Sequence, residues 1–441
     1  MPDRTSRFGG PEWRRGFEER LKSRARLVRF GHFRNVSPGP PRFSEGNQAR
    51  YLHDGREHLA WLLAAIGVAR YRVDFEMYIF EADESGTLVR DALVDAAKRG
   101  VLVRLLYDSV GSASAGAAFF EPVVAAGGHV IEFNPMAPWR LRMSRIGKLQ
   151  HWEPNNRDHR KLLVCDVPSA WAERPISVEN AHVPPDPDDC DDRASIAITG
   201  GRNMADVYLK NQLGAGQWRD CGVVMFGPVV KDLGVLFDRM WFHAEGPDLV
   251  VPPIHAPVVG ELAILPVGSQ PGFFNMLQWA LARLAMVTHE ELRISCAYFI
   301  PPARWRKALG AVARRTGRCA ILVPKESDVP MIDQASRHLW GALLRAGVAI
   351  YLYTRGVLHE KTFIYDRMVT VVGSSNLDPR SFRLNYELSV FVVGEAFAEP
   401  VASRHDADLN DAEPYTLERW RARPLWQRLT DWFWSLLRGQ L

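Results

Sequence analysis

No stretch of the 441-residue chain approaches the roughly 18 to 20 uninterrupted apolar residues that a membrane-spanning helix requires, so no bilayer crossing is expected. The apolar core of a secretory signal is also missing from the N-terminus, and export is not expected. Cysteine is scarce and odd in number: Cys165, Cys190, Cys221, Cys296 and Cys319 lack metal-ligand spacing. That excludes a disulfide framework or a zinc module and suits reduced, buried small hydrophobes in a cytosolic compartment. Neither sign of charge dominates, the net charge being +4. A hydrophobic fraction of 47% with 24% charged residues excludes general disorder, and the length accommodates two domains or two fused half-domains.

The positive charge is unevenly placed. Arg4, Arg7, Arg14, Arg15, Arg20, Lys22, Arg24, Arg26, Arg29 and Arg34 crowd the first 48 residues. This basic arm suits an anionic partner, membrane or nucleic acid, or is a solvated segment rich in Pro, Gly and Ser.

Self-similarity organises the rest. In the first half, a helical stretch (57–69) leads to a strand (71–80), a helix (88–99), a strand (101–107), a helix (119–126) and a strand (130–133). The second half repeats the order with a helix at 273–285, a strand at 292–300, a helix at 304–315, a strand at 319–323, a helix at 335–346 and a strand at 348–353. Gly100, Gly127, Gly317 and Gly347 serve as helix stops. Tyr78-Ile79-Phe80 corresponds to Tyr298-Phe299-Ile300. The reading is an α/β fold of two fused, pseudo-symmetric halves, residues 49–250 and 251–400, each a mixed sheet flanked by helices, with a C-terminal Trp-rich segment at 401–441.

Each half closes on the same phrase, His159-Arg160-Lys161 with Asp166 and His359-Glu360-Lys361 with Asp366, a His-x-Lys-x4-Asp spacing. Gly200-Gly201-Arg202-Asn203 and Gly373-Ser374-Ser375-Asn376 follow. Asp366 and Gly373 are 7 positions apart, whereas Asp166 and Gly200 are 34 apart, so the first half carries an insertion. Its prolines and the cluster Asp186, Asp188, Asp189, Asp191 and Asp192 read as a solvated surface loop rather than a divalent-cation site.

Residues two apart on extended chain share a face, so each His projects beside its Lys. Lys, Asn and backbone donors at a glycine turn are what a phosphate oxygen requires. Displacement at a phosphodiester needs a nucleophile, an acid for the leaving oxygen and cations for the equatorial oxygens. One half supplies one histidine. Two halves meeting supply both, with one imidazole neutral and the other protonated at the start.

With these motifs, Asn385-Tyr386-Glu387, Trp218-Arg219-Asp220 and Tyr107-Asp108-Ser109-Val110-Gly111-Ser112, the sequence resembles the phospholipase D superfamily, and within it the bacterial cardiolipin synthases, over most of residues 50–400. The resemblance implies a phosphatidyltransferase with one active site between the halves and no cofactor or metal. His159 would form a covalent phosphohistidine and His359 act as acid and base. Asp220 and Glu387 would orient His159 and His359 respectively. Lys161, Lys361, Asn203 and Asn376, with Gly201 and Ser374 in their turns, would hold the phosphate. Asp166 and Asp366 belong to the motif but rank below the others as strand-end acids. The substrates implied are anionic glycerophospholipids at the cytoplasmic face of the inner membrane, met peripherally, with no nucleic acid expected.

Two competing activities share these residues, hydrolysis by a phospholipase D and cleavage or binding of nucleic acid. The sequence does not fix the oligomeric state. From Trp420 to Leu437, Trp and Leu alternate with Arg, which reads either as an interfacial helix or as one packed on the enzyme's own core. Trp139, Arg140, Arg142, Arg145 and Lys148 are a second candidate for headgroup contact.

Overall fold

The computed structural model describes residues 12–19, 42–137, 153–173, 192–209, 218–272 and 275–439. A short helix, α1 (12–19), precedes strand β1 (Ser44–Leu52). The first half continues with α2 (Gly55–Val68), β2 (Arg72–Met77), α3 (Glu84–Lys98), β3 (Leu102–Asp108), α4 (Glu121–Ala125) and β4 (His129–Phe133). Then come β5 (Arg157–Asp158), β6 (Leu162–Pro168), α5 (Ala170–Glu173), β7 (Arg193–Gly200), β8 (Trp218–Arg219), β9 (Gly222–Phe226) and α6 (Val229–His243).

The second half opens with β10 (Leu262–Ser269), α7 (Met276–Val287), β11 (Leu292–Cys296), α8 (Ala303–Thr316), β12 (Cys319–Pro324), α9 (Pro330–Arg345) and β13 (Ala349–Tyr353). It closes with β14 (Val357–Leu358), β15 (Lys361–Tyr365), β16 (Val369–Gly373), α10 (Pro379–Arg383), β17 (Asn385–Val393) and α11 (Glu395–Asn410). The C-terminal elements are β18 (Ala412–Pro414), α12 (Leu417–Arg421) and α13 (Leu425–Leu436).

The two halves share one mixed sheet. Its order is β18-β13-β12-β11-β15-β16-β17-β10-β1-β9-β7-β6-β2-β3-β4, so β1 and β10 stand at the centre and the halves mirror each other outward. Within each half the strand after the first helix starts a run of three parallel neighbours, β2-β3-β4 and β11-β12-β13. The motif strands β6 and β15 run antiparallel to them. Strands β7, β9, β15, β16 and β17 are buried along their whole length, which explains their unbroken apolar text.

Each half has a private core on one face of the sheet. One gathers Trp61, Phe75, Leu93 and Phe120 under α2 and α3; the other gathers Leu281, Trp305, Leu309 and Phe363 under α7 and α8. A third core is common to both, joining Leu162, Val164, Phe237 and Trp241 to Ile364, Val372, Leu388 and Phe397 beneath α6 and α11. That common layer holds the halves in fixed relation, as a site between them demands.

The expected strands at 71–80 and 292–300 end early, at Met77 and Cys296. There the backbone leaves the sheet to meet the glycine turns, with isolated bridges Phe80 to Met204 and Phe299 to Leu377. The helix expected at 119–126 begins as a 3-10 turn, Ala117–Phe120. All four glycine stops adopt positive φ, which a Cβ would strain. The boundary read at 48/49 falls inside β1, and that at 400/401 inside α11. Part of the basic arm is folded: Trp13 and Phe17 of α1 pack with Phe43 and Trp279 on the second-half core. Of the ten basic residues that crowd the arm only Arg14 and Arg15 are described; the other eight lie outside the described residues, as does the stretch Trp139 to Lys148.

Candidate active site

Two short cross-half strand pairs build the site. Arg157-Asp158 (β5) pairs with Asn385-Tyr386 (β17), and Val357-Leu358 (β14) pairs with Trp218-Arg219 (β8), both in parallel. The next backbone step is also shared: His159 N donates to Tyr386 O at 2.9 Å, and His359 N donates to Arg219 O at 2.7 Å. In each pair the residue after the paired dipeptide is a histidine on one chain segment and a carboxylate on the other. His159 therefore meets Glu387, with Nδ1 3.0 Å from Oε2, and His359 meets Asp220, with Nδ1 2.6 Å from Oδ2.

This corrects the expected assignment. Asp220 orients His359 and Glu387 orients His159, each half lending its acid to the other half's histidine. Reading the carboxylates as partners within their own half overlooked that the short strands cross between halves.

The motif sits at the entrance of its strand rather than within it, Lys161 just before β6 and Lys361 as the first residue of β15. The alternation of faces holds. Arg160, between His159 and Lys161, turns to Glu76 and Asp158, while Glu360 turns to Arg219 and Tyr51. Lys161 Nζ donates to the carbonyl of His159 at 2.7 Å and lies 5.0 Å over the Tyr78 ring. Lys361 Nζ donates to the carbonyl of His359 and stands 3.9 Å from Asp220 Oδ2.

The turns are fixed by the acids they face. A Cβ at Gly201 would run into the Asp220 carboxylate, so only glycine fits. Ser374 at the equivalent place donates from Oγ to Glu387 Oε2, a contact that positions the acid. Asn203 Oδ1 accepts from Ile79 N at 3.2 Å, and its Nδ2 donates to Tyr208 Oη at 2.9 Å. Asn376 Oδ1 accepts from Tyr298 N at 3.2 Å. Both amides thus lock the Tyr78 and Tyr298 segments beside the histidines. The insertion after Asp166 leaves the Asn203 turn in register with its counterpart, because β7 pairs with β6 and β9 along its length. Of the five clustered aspartates in the insertion only Asp192 is described, and it is exposed. Among the described residues no three His, Cys, Asp or Glu side chains converge as metal ligands.

Asp166 and Asp366 are not brought to this cluster. Five residues beyond the lysine along extended chain is about 16 Å. Asp166 accepts from the amides of Arg70, Tyr71 and Arg72 and pairs with Arg193, while Asp366 accepts from the amides of His289, Glu290 and Glu291. They clamp the loops that enter β2 and β11.

Aromatic rings wall the histidines. Tyr78 stands edge-on to His159 at 4.6 Å between centroids, and Trp218, Tyr208 and Tyr298 surround His359 at 5.0, 5.9 and 6.2 Å. Tyr78 and Tyr298 matched in the repeat, and that match was the signal for them. Nothing in the local text singled out Tyr208. Asp108, buried, accepts from Val110, Gly111 and Asp158 amides and from Arg157, which braces β5 against β3 and so sets His159.

Burial governs the electrostatics. Desolvation pushes His159 well below its ordinary pKa, with the charges of Lys161, Lys361 and His359 acting in the same direction. His359 is also lowered by burial and by Lys361, but the hydrogen bond to Asp220 and that acid's charge work against the fall. Burial raises Asp220, yet Lys361 and His359 outweigh it and the acid ends below the ordinary carboxylate range. Glu387 goes the other way, pushed by burial up to about 8, and burial drives Lys161 down to about 7. One pair therefore keeps its anion and the other resists it. The two histidines are thus unequally placed, His159 beside an acid that resists ionisation and His359 beside one that keeps its charge.

The Glu387 shift has a stability consequence. Its folded pKa of about 8 lies above the ordinary 4.5, so between those values the folded state holds a proton the unfolded state has lost. Stability from this group is full at low pH and falls as pH rises through that window. Glu387→Gln removes the loss. Denaturant unfolding should show the variant gaining on the parent between pH 5 and pH 9, by roughly 4 kcal/mol.

A cross-half pair of histidines, each backed by a buried carboxylate and a lysine on a duplicated α/β sheet, defines a phospholipase D-like enzyme. A family profile described as "Cardiolipin synthase, PLD-like domain" matches residues 281–409. The chain is 30% identical over 396 residues to the major cardiolipin synthase ClsA of Bacillus subtilis (strain 168), covering 88% of this chain and 74% of that protein. It is 31% identical over 398 residues to cardiolipin synthase A of Yersinia pestis bv. Antiqua (strain Angola), with the same coverage. The chain belongs to the cardiolipin synthase family. Among solved structures, phosphatidylserine synthase from Haemophilus influenzae Rd KW20 superposes with a TM-score of 0.62 at 13% identity, over 96% of this chain and 100% of that one. Polyphosphate kinase from Porphyromonas gingivalis gives a TM-score of 0.52 at 9% identity, over 89% and 53%. At such identities these two speak to the fold, and both agree with it.

Proposed function

We propose that the protein transfers a phosphatidyl group from one anionic glycerophospholipid to a hydroxyl of another, giving cardiolipin and a small alcohol, through a phosphohistidine on His159. The observation that carries this reading is the crossed pairing, which gives two buried imidazoles the same Nδ1 anchor and unequal electrostatics. With Nδ1 turned to the acid in each pair, Nε2 is the nitrogen that acts.

In the first half-reaction Nε2 of His159 bonds to phosphorus as the P–O bond to the leaving alcohol breaks, and His359 passes its proton to that oxygen. In the second, His359 takes the proton of the incoming hydroxyl, whose oxygen bonds to phosphorus as the P–N bond breaks. His159 is released unchanged. Lys161 and Lys361 neutralise the equatorial oxygens, with Asn203 and Asn376 supporting them. The aromatic wall favours transfer over hydrolysis by limiting water at the phosphohistidine. Relatives named cardiolipin synthase support the lipid substrate over nucleic acid.

The test is product analysis with phosphatidylglycerol vesicles in oxygen-18 water. Cardiolipin and free glycerol, with no labelled phosphatidic acid, are expected. Labelled phosphatidic acid as the main product would replace transfer by hydrolysis.

A further inference from the structure

Helix α13 is mounted with its polarity reversed. Asp431 and Ser435 are its buried residues, whereas Leu425, Trp426, Leu429, Trp432, Phe433 and Leu436 are each at least 50% exposed. A helix on a soluble enzyme's surface normally turns such an apolar stripe inward. Here the inward side is charged and satisfied: Arg337 of α9 donates to Asp431 Oδ1 at 3.0 Å, and Arg423 holds its Oδ2. Trp420 donates to the carbonyl of Arg337 at 2.9 Å and lies under Arg423, so the approach to the helix is fixed as well. The outward stripe is thus a built feature and not a frayed end.

From this we infer that α13 is the element by which the enzyme docks on an anionic phospholipid surface, lying in the interfacial zone with its Trp-Leu face in the acyl boundary. The inference rests on the lipid reading of the active site and adds the docking surface. Charge names the occupant. Arg421, Arg428 and Arg438 are exposed around the stripe, and Asp431, the one acid between Leu425 and Gly439, is buried between two arginines. At the helix end Arg438 acts on Arg306 of α8, extending the cationic rim. Tryptophan at the boundary and arginine beside anionic headgroups are the chemistry of a lipid interface. A second copy of the chain seated on the same face would set these arginines against their own equivalents.

The helix is also tied to the site. Trp434 packs against the cluster of Ile300, Ile332, Ala335 and Leu339, and Tyr298, which faces the His359 ring, packs against the same cluster. Docking through α13 therefore sets the rim beside His359 against the surface that carries the substrate.

The experiment compares the full chain with W426E/L429E/W432E, which changes only exposed side chains. Flotation with phosphatidylcholine vesicles containing phosphatidylglycerol should show binding at least about tenfold weaker for the variant. Turnover on vesicles should fall with it, while turnover of monomeric short-chain phosphatidylglycerol stays at the parent level. Equal flotation of the two proteins overturns the inference. So does a parent dimer that becomes monomeric in the variant with vesicle binding unchanged, which would make the face a self-association surface. Flotation reads docking without catalysis, so absence of turnover in both proteins would count against the proposed function and not against the helix.

Discussion

His159→Ala and His359→Ala each lower the transfer rate from phosphatidylglycerol by about 10⁴-fold or more, but they part company on a substrate with an activated leaving group. The reason lies in what each histidine supplies. His159 gives the electron pair that bonds to phosphorus, and no substrate can replace it. His359 gives a proton to a poor leaving alcohol, a need that vanishes when the leaving group is a nitrophenolate. With phosphatidyl-p-nitrophenol, His359→Ala should therefore release one equivalent of nitrophenol per site in a burst and then stall. The second step still lacks a base to activate the acceptor hydroxyl. The trapped protein should carry an acid-labile, base-stable phosphatidyl adduct on His159, detected by mass spectrometry of the intact chain. His159→Ala should give neither burst nor adduct. The reverse pattern, with a burst in His159→Ala alone, would exchange the two roles, and retention of full turnover by both variants would end the phosphohistidine proposal.

The duplication that underlies this site was legible because the chemistry repeats as text. Strand, helix, strand, helix, strand recurs with glycine stops at matching places, and the His-x-Lys pairs fall at corresponding positions, so fold class and most of the site followed from the chain alone. The partner of each histidine did not. Asp220 and Glu387 carry no mark of which half they serve, and the answer depends on two strands of two residues each, β5 and β8, that cross to β17 and β14. Pairs so short leave no periodicity to read. The contact of Ser374 was hidden for a related reason: its turn suggested phosphate, and nothing in the local text pointed to the hydrogen bond its hydroxyl makes to Glu387. Helix α13 shows a third limit. Periodicity declared it amphipathic, but the choice of inward face is set by Arg337, far away in sequence, which offers Asp431 a buried partner.

Asp220→Asn should be the most damaging change among residues that never touch phosphorus, lowering kcat/KM by on the order of 10³-fold to 10⁴-fold. Asp220 accepts from His359 Nδ1 at 2.6 Å and is held in its anionic form by Lys361 and His359. Asparagine keeps the shape and loses the charge, and its amide nitrogen can present a donor where Nδ1 needs an acceptor, favouring the wrong tautomer. The pH profile separates this positioning role from simple destabilisation. Burial and Lys361 push the His359 pKa down, and Asp220 pushes it up. Removing Asp220 lowers it further, so the proton that His359 must donate is lost at a lower pH. The alkaline limb of the rate profile should accordingly move to lower pH in Asp220→Asn. An activated leaving group should rescue the variant's first step, because no proton is then required. Glu387→Gln should leave that limb in place, since Glu387 acts on His159. A variant that merely unfolds would lose activity with every leaving group and at every pH, with no displaced limb and no rescue.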